Sequence, residues 1–558
     1  MKRLLLLFLS TVCFFTLAGL PRFLSLEAHW SSDEALWLQR SAQFMSAVKE
    51  GEFSETLIAH HPGVTTMWLA GLRTFFIVHS VNIENLALAR RFLGIGVWVC
   101  LCLACLLLYQ LFGKWIALLS FAALAYSPFF LAQTRRVHTD ALTTGFILLT
   151  VLLFLMYCQN RHQHRYLIFS GVTFGLSLLS KSSTLIIFAW IPLCLFVFRG
   201  KQKRRFWVHV AEGIGFLNCV ILTVLALWPV FWTPIFGLMA LCLFGLTFAL
   251  FREIENKQFP LWLVGMALAG LCLVSVRAGQ TIWLVFDKVN WALTTPHEVE
   301  HFFLGKVVND PGWLFYSFLI AIKSTPLLLP LAIVGCILIW HQRNFSEETD
   351  LQFRMVLSLV AGCVLFTVCL SATSKKFGRY LLPIFPMLEI LGAIGFVAGI
   401  KWLYAVLPFC PEAPSKYKTA LTVIAGVVFF FIQVLPVLAL HPYYGTYYNP
   451  YWKGTDITQI ITIGDASGVD LAAKYINKKA NAPQLRVAVS PLATEFFQPY
   501  FIGFAYHTKK KYLSADYEVV YIRDSQIKRV PQAGTRGGTL EHVITLNGIE
   551  YVWIYRVL

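Results

Sequence analysis

The chain of 558 residues is 57% hydrophobic and only 13% charged. These proportions exclude an ordinary soluble protein, which is closer to half apolar and a quarter charged. The formal net charge of +17 does not indicate nucleic-acid binding, because most of the excess lies in short loops between apolar runs, where Lys and Arg set the orientation in a membrane.

Apolar runs near 20 residues recur along the chain, and each can cross a bilayer as a helix. The sequence therefore predicts a polytopic α-helical membrane protein with about 13 transmembrane helices. The predicted spans are residues 4–20, 92–111, 115–133, 140–158, 166–180, 183–199, 208–228, 233–251, 259–276, 313–340, 354–371, 380–400 and 419–440. No small-residue cleavage site precedes Pro21, so we expect an uncleaved first span rather than a signal peptide.

Short and mostly basic loops mark one side of the membrane, at residues 161–165, 199–205, 251–257 and 341–343. Lys and Arg favour the cytoplasmic side. We therefore expect the extracytoplasmic side to receive residues 21–91, 134–139, 277–312, 372–379 and the tail from His441. The short apolar run 64–79 carries Arg73, and we expect it to lie along the outer surface as an interfacial helix rather than to span.

The composition changes near residue 441, where long apolar runs end and polar residues return. We divide the chain there into a transmembrane module, 1–440, and a small extracytoplasmic α/β domain, 441–558. The predicted elements of this domain are a helix at 468–479 and strands at 485–489, 517–522 and 551–557. Its aromatic opening, 441–452, is predicted to anchor at the lipid headgroups, with a share in an acceptor site as the alternative.

Cysteine and histidine give no metal or disulfide pattern. All 13 cysteines precede residue 411, mostly within apolar runs, as is typical of small core residues. The adjacent His60 and His61 cannot share one helical face, so we expect no metal pair there. We predict neither a metal ion nor a cofactor.

Three acids stand out in a chain that is poor in acid. Asp33 and Glu34 directly follow the first span, and Asp140 closes the cluster Arg135-Arg136-Val137-His138-Thr139-Asp140 at the outer entrance of another span. Helix capping or a solvated loop is the plain alternative for each acid. Their common side of the membrane favours proton chemistry on a substrate instead.

Several cations lie on the same outer side, against the usual preference of positive charge for the inside. They are Lys181, Lys376 and Arg379, with Arg136 and His61 nearby in the predicted topology. Arg and Lys bind phosphate well, so these five residues are the candidate phosphate ligands. Snorkelling side chains at helix ends are the alternative. A substrate groove is predicted from the charged and aromatic loop after residue 296, and the candidate groove residues are His138, His301 and Tyr380.

Taken in order, these motifs resemble the GT-C superfamily of integral-membrane glycosyltransferases. The resemblance is greatest to the branch that holds protein O-mannosyltransferases and lipid A aminoarabinose transferases. The matching pieces are Asp33-Glu34, His61-Pro62-Gly63, His138-Thr139-Asp140, Ser180-Lys181-Ser182, the loop from His301 to Pro326, and the segment from Lys376 to Pro386. The chain departs from the aminoarabinose branch at His61, where that branch has Lys, and after Lys181, where Ser-Ser replaces Gly.

The resemblance implies a polyprenyl-phosphate sugar as donor, an inverting transfer and Asp33 as the catalytic base. Asp140 and Glu34 are expected to orient the reacting groups, and the acceptor would be a glycan, a lipid or a protein. We expect an integral protein of the bacterial inner membrane with its site outside. A transporter or flippase is the main alternative, since charged residues in membrane proteins mark substrate pathways. An assembly protein whose external domain binds a partner is a third hypothesis.

Overall fold

The computed structural model describes residues 2–76, 82–160, 163–199, 206–256, 278–291, 294–295, 300–406, 415–510 and 512–557. The predicted span 259–276 and the end of the predicted interfacial helix, 77–79, lie outside these ranges. All the candidate site residues lie inside them.

Helices make up nearly all of the structure before residue 441, as the apolar runs predict. Their bounds are Lys2–Phe23, Glu34–Glu50, Val64–Gly71, Ile83–Phe112, Lys114–Tyr126, Pro128–Thr134, Asp140–Gln159, His164–Ser180, Ile186–Val197, Phe206–Leu227, Pro234–Asn256, Phe315–Lys323, Leu328–Gln342, Glu347–Ser371, Ile384–Val406 and Ser415–Leu440, with one more at 278–291. Six helices of the described part are long and apolar enough to cross a membrane. The prediction of a polytopic helical membrane protein is confirmed.

Two predicted spans are broken rather than straight. The helices Lys114–Tyr126 and Pro128–Thr134 meet at 62°, and Phe315–Lys323 and Leu328–Gln342 meet at 102°. Pro128 directly follows the first break and Pro326 lies within the second; proline removes a backbone donor and disfavours helix at the residue before it. With each bent pair counted as one span, the described residues hold up to 8 candidate spans, so the count of thirteen is not confirmed.

The described part of the run 64–79 does not span, as predicted, and its position along the outer surface stays a prediction. Its helix, Val64–Gly71, has 8 residues and is too short to span, at roughly 12 Å. It packs between the helices Glu34–Glu50 and Ile83–Phe112. Arg73 is buried there and donates to the backbone carbonyls of Leu38 and Ala70.

The C-terminal domain contains a five-stranded mixed sheet. The strands are β3 (Arg486–Val489), β4 (Phe504–His507), β5 (Tyr517–Tyr521), β6 (Thr539–Leu546) and β7 (Ile549–Arg556), in the order β4-β3-β5-β7-β6; β1 (His301–Phe303) and β2 (Lys306–Val308) form a separate hairpin. The predicted strands correspond to β3, β5 and β7, and the predicted helix to Val469–Ile476. β4 and β6 were not predicted; half of the residues of β6 are polar, which weakens its strand pattern.

The hairpin ties the domain to the helices. The amides of Leu304 and Gly305, at its turn, donate to the carbonyls of Ile460 and Gln459. The aromatic opening also serves this junction: Tyr443, Tyr444 and Tyr447 are buried within the protein, so headgroup anchoring is wrong for these three rings. The segment after this aromatic opening contains Asp465, which pairs with Arg136.

Candidate active site

Asp33 is held by two partners at the start of the helix Glu34–Glu50. Its backbone is left-handed, with φ 69°, and its side chain makes no capping hydrogen bond, so the capping alternative does not explain it. Arg379 donates to Asp33 Oδ2 at 2.7 Å, and His138 Nε2 lies 3.6 Å from the same oxygen. The contact with His138 and the charge of Arg379 hold the pKa of Asp33 well below its usual range. The carboxylate is 38% exposed and ionised at neutral pH.

Asp140 forms the buried centre of the cluster. It is the first residue of the helix Asp140–Gln159, and its Oδ1 accepts from Lys181 Nζ at 2.5 Å. His138 Nδ1 lies 2.7 Å and Arg379 Nε 3.5 Å from Asp140 Oδ2. Arg379 thus bridges both aspartates, and the ammonium of Lys181 lies 4.0 Å from the ring centre of Tyr380. Residues far apart in the chain converge here on two carboxylates.

Glu34 is fully buried behind this cluster, and its carboxylate is saturated. Arg90 donates to both oxygens, the amide of Val137 donates to Oε1, and the amide and hydroxyl of Ser31 donate to Oε2. These contacts tie together the segments that carry Asp33 and His138. The geometry therefore suits a positioning residue better than the catalytic role suggested by the sequence.

We expect Glu34→Gln to lower the free energy of unfolding by about 3 kcal/mol or more, because it leaves the buried Arg90 without its counter-charge. Burial alone would raise the pKa of Glu34, but Arg90 and the hydrogen bonds lower it to about 2. The difference in the free energy of unfolding between wild type and Glu34→Gln should be largest above the ordinary carboxyl pKa near 4.5 and should disappear as the pH falls towards 2. Thermal unfolding in detergent measures this. The matched variant Glu50→Gln, at the exposed end of the same helix, should change little; an equal loss in both variants would contradict the assignment.

The loop His61-Pro62-Gly63 packs against the Lys181 turn. The amide of Gly63 donates to the carbonyl of Ser180 at 3.1 Å, and the hydroxyls of Thr65 and Ser180 are 2.6 Å apart. Burial and the nearby charge of Lys181 lower the pKa of His61 to about 3. His61 is therefore neutral, and its buried Nδ1 makes no hydrogen bond within the described chain. It can contribute a polar contact but not a charge.

Gly63 is required by close packing as well as by its φ of 60°. A Cβ there would lie 2.2 Å from the ring of Trp37, which contacts His138 edge-on. We expect Gly63→Ala to destabilise the protein by about 1–3 kcal/mol and to lower activity by displacing Trp37. Gly51→Ala is the matched control, since Gly51 has φ 75° and nothing within 4 Å of its Cβ position. Equal losses of thermal stability and activity in the two variants would show that the positive φ, and not the contact with Trp37, explains the need for glycine at residue 63.

The other predicted residues separate into two groups. Lys376 is buried and donates to Asp310 and to the carbonyl of Thr373, with neither aspartate of the cluster among its partners. Arg136 and His301 line a cavity beside Arg379, and Arg136 pairs with Asp465 at 3.0 Å. Their assignment to phosphate and acceptor remains a prediction. Arg90, Asp465 and Arg523 were not predicted from the sequence as site residues, and Lys323 was included only as part of the segment from His301 to Pro326.

Within the described residues, no three His, Cys, Asp or Glu side chains are grouped as metal ligands. The expectation of a site without metal or cofactor stays a prediction.

Residues 66–232 match the family described as dolichyl-phosphate-mannose-protein mannosyltransferase. Among curated proteins, no sequence matches this chain.

Solved structures resemble the chain over most of its length. ArnT from Cupriavidus metallidurans bound to undecaprenyl phosphate is 15% identical, with 98% of this chain and 97% of ArnT covered and a TM-score of 0.45. The Archaeoglobus fulgidus oligosaccharyltransferase in its apo form is 11% identical, with 92% and 70% covered and a TM-score of 0.46. The A. fulgidus AglB complex with an inhibitory peptide and a dolichol-phosphate is 13% identical, with 94% and 71% covered and a TM-score of 0.45. The match of residues 66–232 to this family model agrees with the resemblance to protein mannosyltransferases that was predicted from the sequence.

Proposed function

We propose that this protein is an inverting glycosyltransferase that moves a hexose or pentose from a polyprenyl-phosphate carrier to an acceptor hydroxyl or phosphate at the outer face of a bacterial inner membrane. The observation that carries the proposal is the cluster in which Arg379 bridges Asp33 and Asp140 while Lys181 pairs with Asp140. The matched family is named for a lipid-linked sugar phosphate, which supports such a donor. The domain boundary at residue 441 and the extracytoplasmic position of the tail belong to the same proposal.

Asp33 is the proposed base. It takes the proton of the acceptor hydroxyl as that oxygen bonds to the anomeric carbon. The bond from the anomeric carbon to the phosphate oxygen breaks on the opposite face, and its electron pair leaves with the phosphate. In the resting cluster Arg379 makes Asp33 a weak base, because it stabilises the ionised form. An incoming phosphate competes for Arg379, which raises the pKa of Asp33 and makes the carboxylate ready for the proton.

Arg379 and Lys181 are the proposed ligands of the leaving phosphate. Fixed donors in a water-poor site are worth about 3 kcal/mol each when charge develops on the oxygen they contact. Asp140 aims both cations through its two oxygens, and His138 links the aspartates. His61 and Tyr380 complete this side of the site beside Lys181.

The proposal is tested with purified protein, a labelled undecaprenyl-phosphate sugar and extracts of envelope acceptors. We expect the label to leave the lipid and join an acceptor, with release of undecaprenyl phosphate. The competing transporter hypothesis predicts that the intact labelled lipid crosses a liposome bilayer without cleavage. Movement without bond breaking would therefore reject a transferase.

A further inference from the structure

A cavity of about 130 Å³ adjoins Arg379, between the membrane helices and the C-terminal domain. Its wall contains four cationic side chains and one carboxylate: Arg136, Lys323, Arg379 and Arg523 against Asp465. Lys181 and His61 do not line it. The cavity is therefore distinct from the surroundings of Lys181, although Arg379 belongs to both.

Arg136 and Arg379 pair with carboxylates, but the positive charge of Lys323 is not balanced within the described residues. Lys323 is buried and donates only to the carbonyls of Gly445 and Tyr447, with the Tyr448 ring 3.9 Å away. No carboxylate of the described residues lies within ion-pair distance of it. Burying a cation without a counter-charge is unfavourable, and an anion in the cavity would supply that charge.

Two arginines that line the cavity have N–H groups that make no hydrogen bond within the described chain. Arg136 is 5% exposed and pairs with Asp465 through one terminal nitrogen, but its Nε makes no hydrogen bond within the described chain. The Nε of Arg523 is likewise buried without a partner there. The planar fork of Arg matches phosphate oxygens. The aromatic side chains of Phe129, Phe315 and Phe377 complete the wall.

We propose that this cavity binds a phosphate group of a substrate, with Lys323 and Arg523 as binding residues in addition to Arg136 and Arg379. The C-terminal domain would then supply part of the site, through Arg523 and the Asp465 loop. The phosphate could belong to the lipid-linked donor or to a water-borne acceptor, and this choice rests on the proposed function. The binding of phosphate to the cavity does not rest on the proposed function, since it can be measured without sugar transfer.

The test uses the full-length protein in detergent and titrates it with inorganic phosphate at constant ionic strength. We expect Arg523→Gln to weaken phosphate binding at least tenfold. The matched variant Arg529→Gln removes an equal charge nearby, from an exposed pair with Glu300, and should bind within twofold of wild type. Unchanged binding in Arg523→Gln would overturn the proposal.

A second measurement keeps the test decisive if Arg523→Gln does not fold. Phosphate should raise the thermal unfolding midpoint of the wild-type protein relative to chloride, since a ligand of the native state stabilises it; no rise would overturn the proposal. Undecaprenyl phosphate then distinguishes the sources. Displacement of inorganic phosphate would assign the cavity to the donor, and simultaneous binding would assign it to the acceptor. A failure of labelled sugar transfer would affect neither result.

Discussion

Asp33→Asn is expected to lower the rate of sugar transfer by about 10²- to 10⁴-fold, because the amide cannot take the acceptor proton. The fold should survive, since Asp33 is partly exposed and its side chain does not cap the helix it precedes. Donor affinity should be kept or slightly raised, because Arg379 loses one of its two carboxylate partners and is freer to contact phosphate. Transfer kinetics and donor titration measure the two effects separately.

The control for Asp33 is Asp350→Asn, whose carboxylate pairs with Arg354 in another partly exposed contact. Asp350 lies near the start of the helix Glu347–Ser371, outside the carboxylate cluster, so its substitution should leave transfer unchanged. Normal turnover by Asp33→Asn would reject Asp33 as the base and would leave Asp140 as the candidate.

Arg379→Gln carries the second large effect, and we expect it to slow transfer by about 10²- to 10³-fold through the loss of a fixed donor to the leaving phosphate. Arg379→Lys should lose less, since it keeps the charge but not the planar fork that reaches both aspartates. The pKa of Asp33 is held low in part by Arg379. Removing that charge raises the pKa, so protonation should inactivate the base at a higher pH than in wild type.

The measurement is the dependence of residual transfer on pH. In Arg379→Gln the acidic limb of the profile should move to higher pH, while in Gly51→Ala it should not move. A slower variant with an unmoved acidic limb would separate Arg379 from Asp33 and would limit its role to binding phosphate.

The residues of the cluster were visible in the sequence because charge at the end of an apolar run is costly in a membrane and needs a reason. Asp33, Asp140, Lys181 and Arg379 all met that condition. The roles of their neighbours were less visible. Glu34 follows Asp33 directly, and only the structure shows that its carboxylate is saturated by Arg90 and by backbone donors.

Arg90 escaped prediction because a charged residue normally marks the end of a span. The predicted span therefore began at 92, whereas the helix begins at Ile83 and buries Arg90 against Glu34. Arg523 gave no signal, since arginine is ordinary in a polar domain and its place beside Arg136 depends on how that domain packs. The bends at Pro128 and Pro326 could have been inferred from proline chemistry.

The interior place of β7 in the sheet bears on how the protein matures. β7, Ile549–Arg556, lies between β5 and β6, so the five strands can pair fully only after residues 549–556 have been synthesised. The aspartates and Lys181 are synthesised early, yet the wall carrying Arg523 is completed last. A nascent chain would thus hold the two aspartates and Lys181 before the sheet of the C-terminal domain can form.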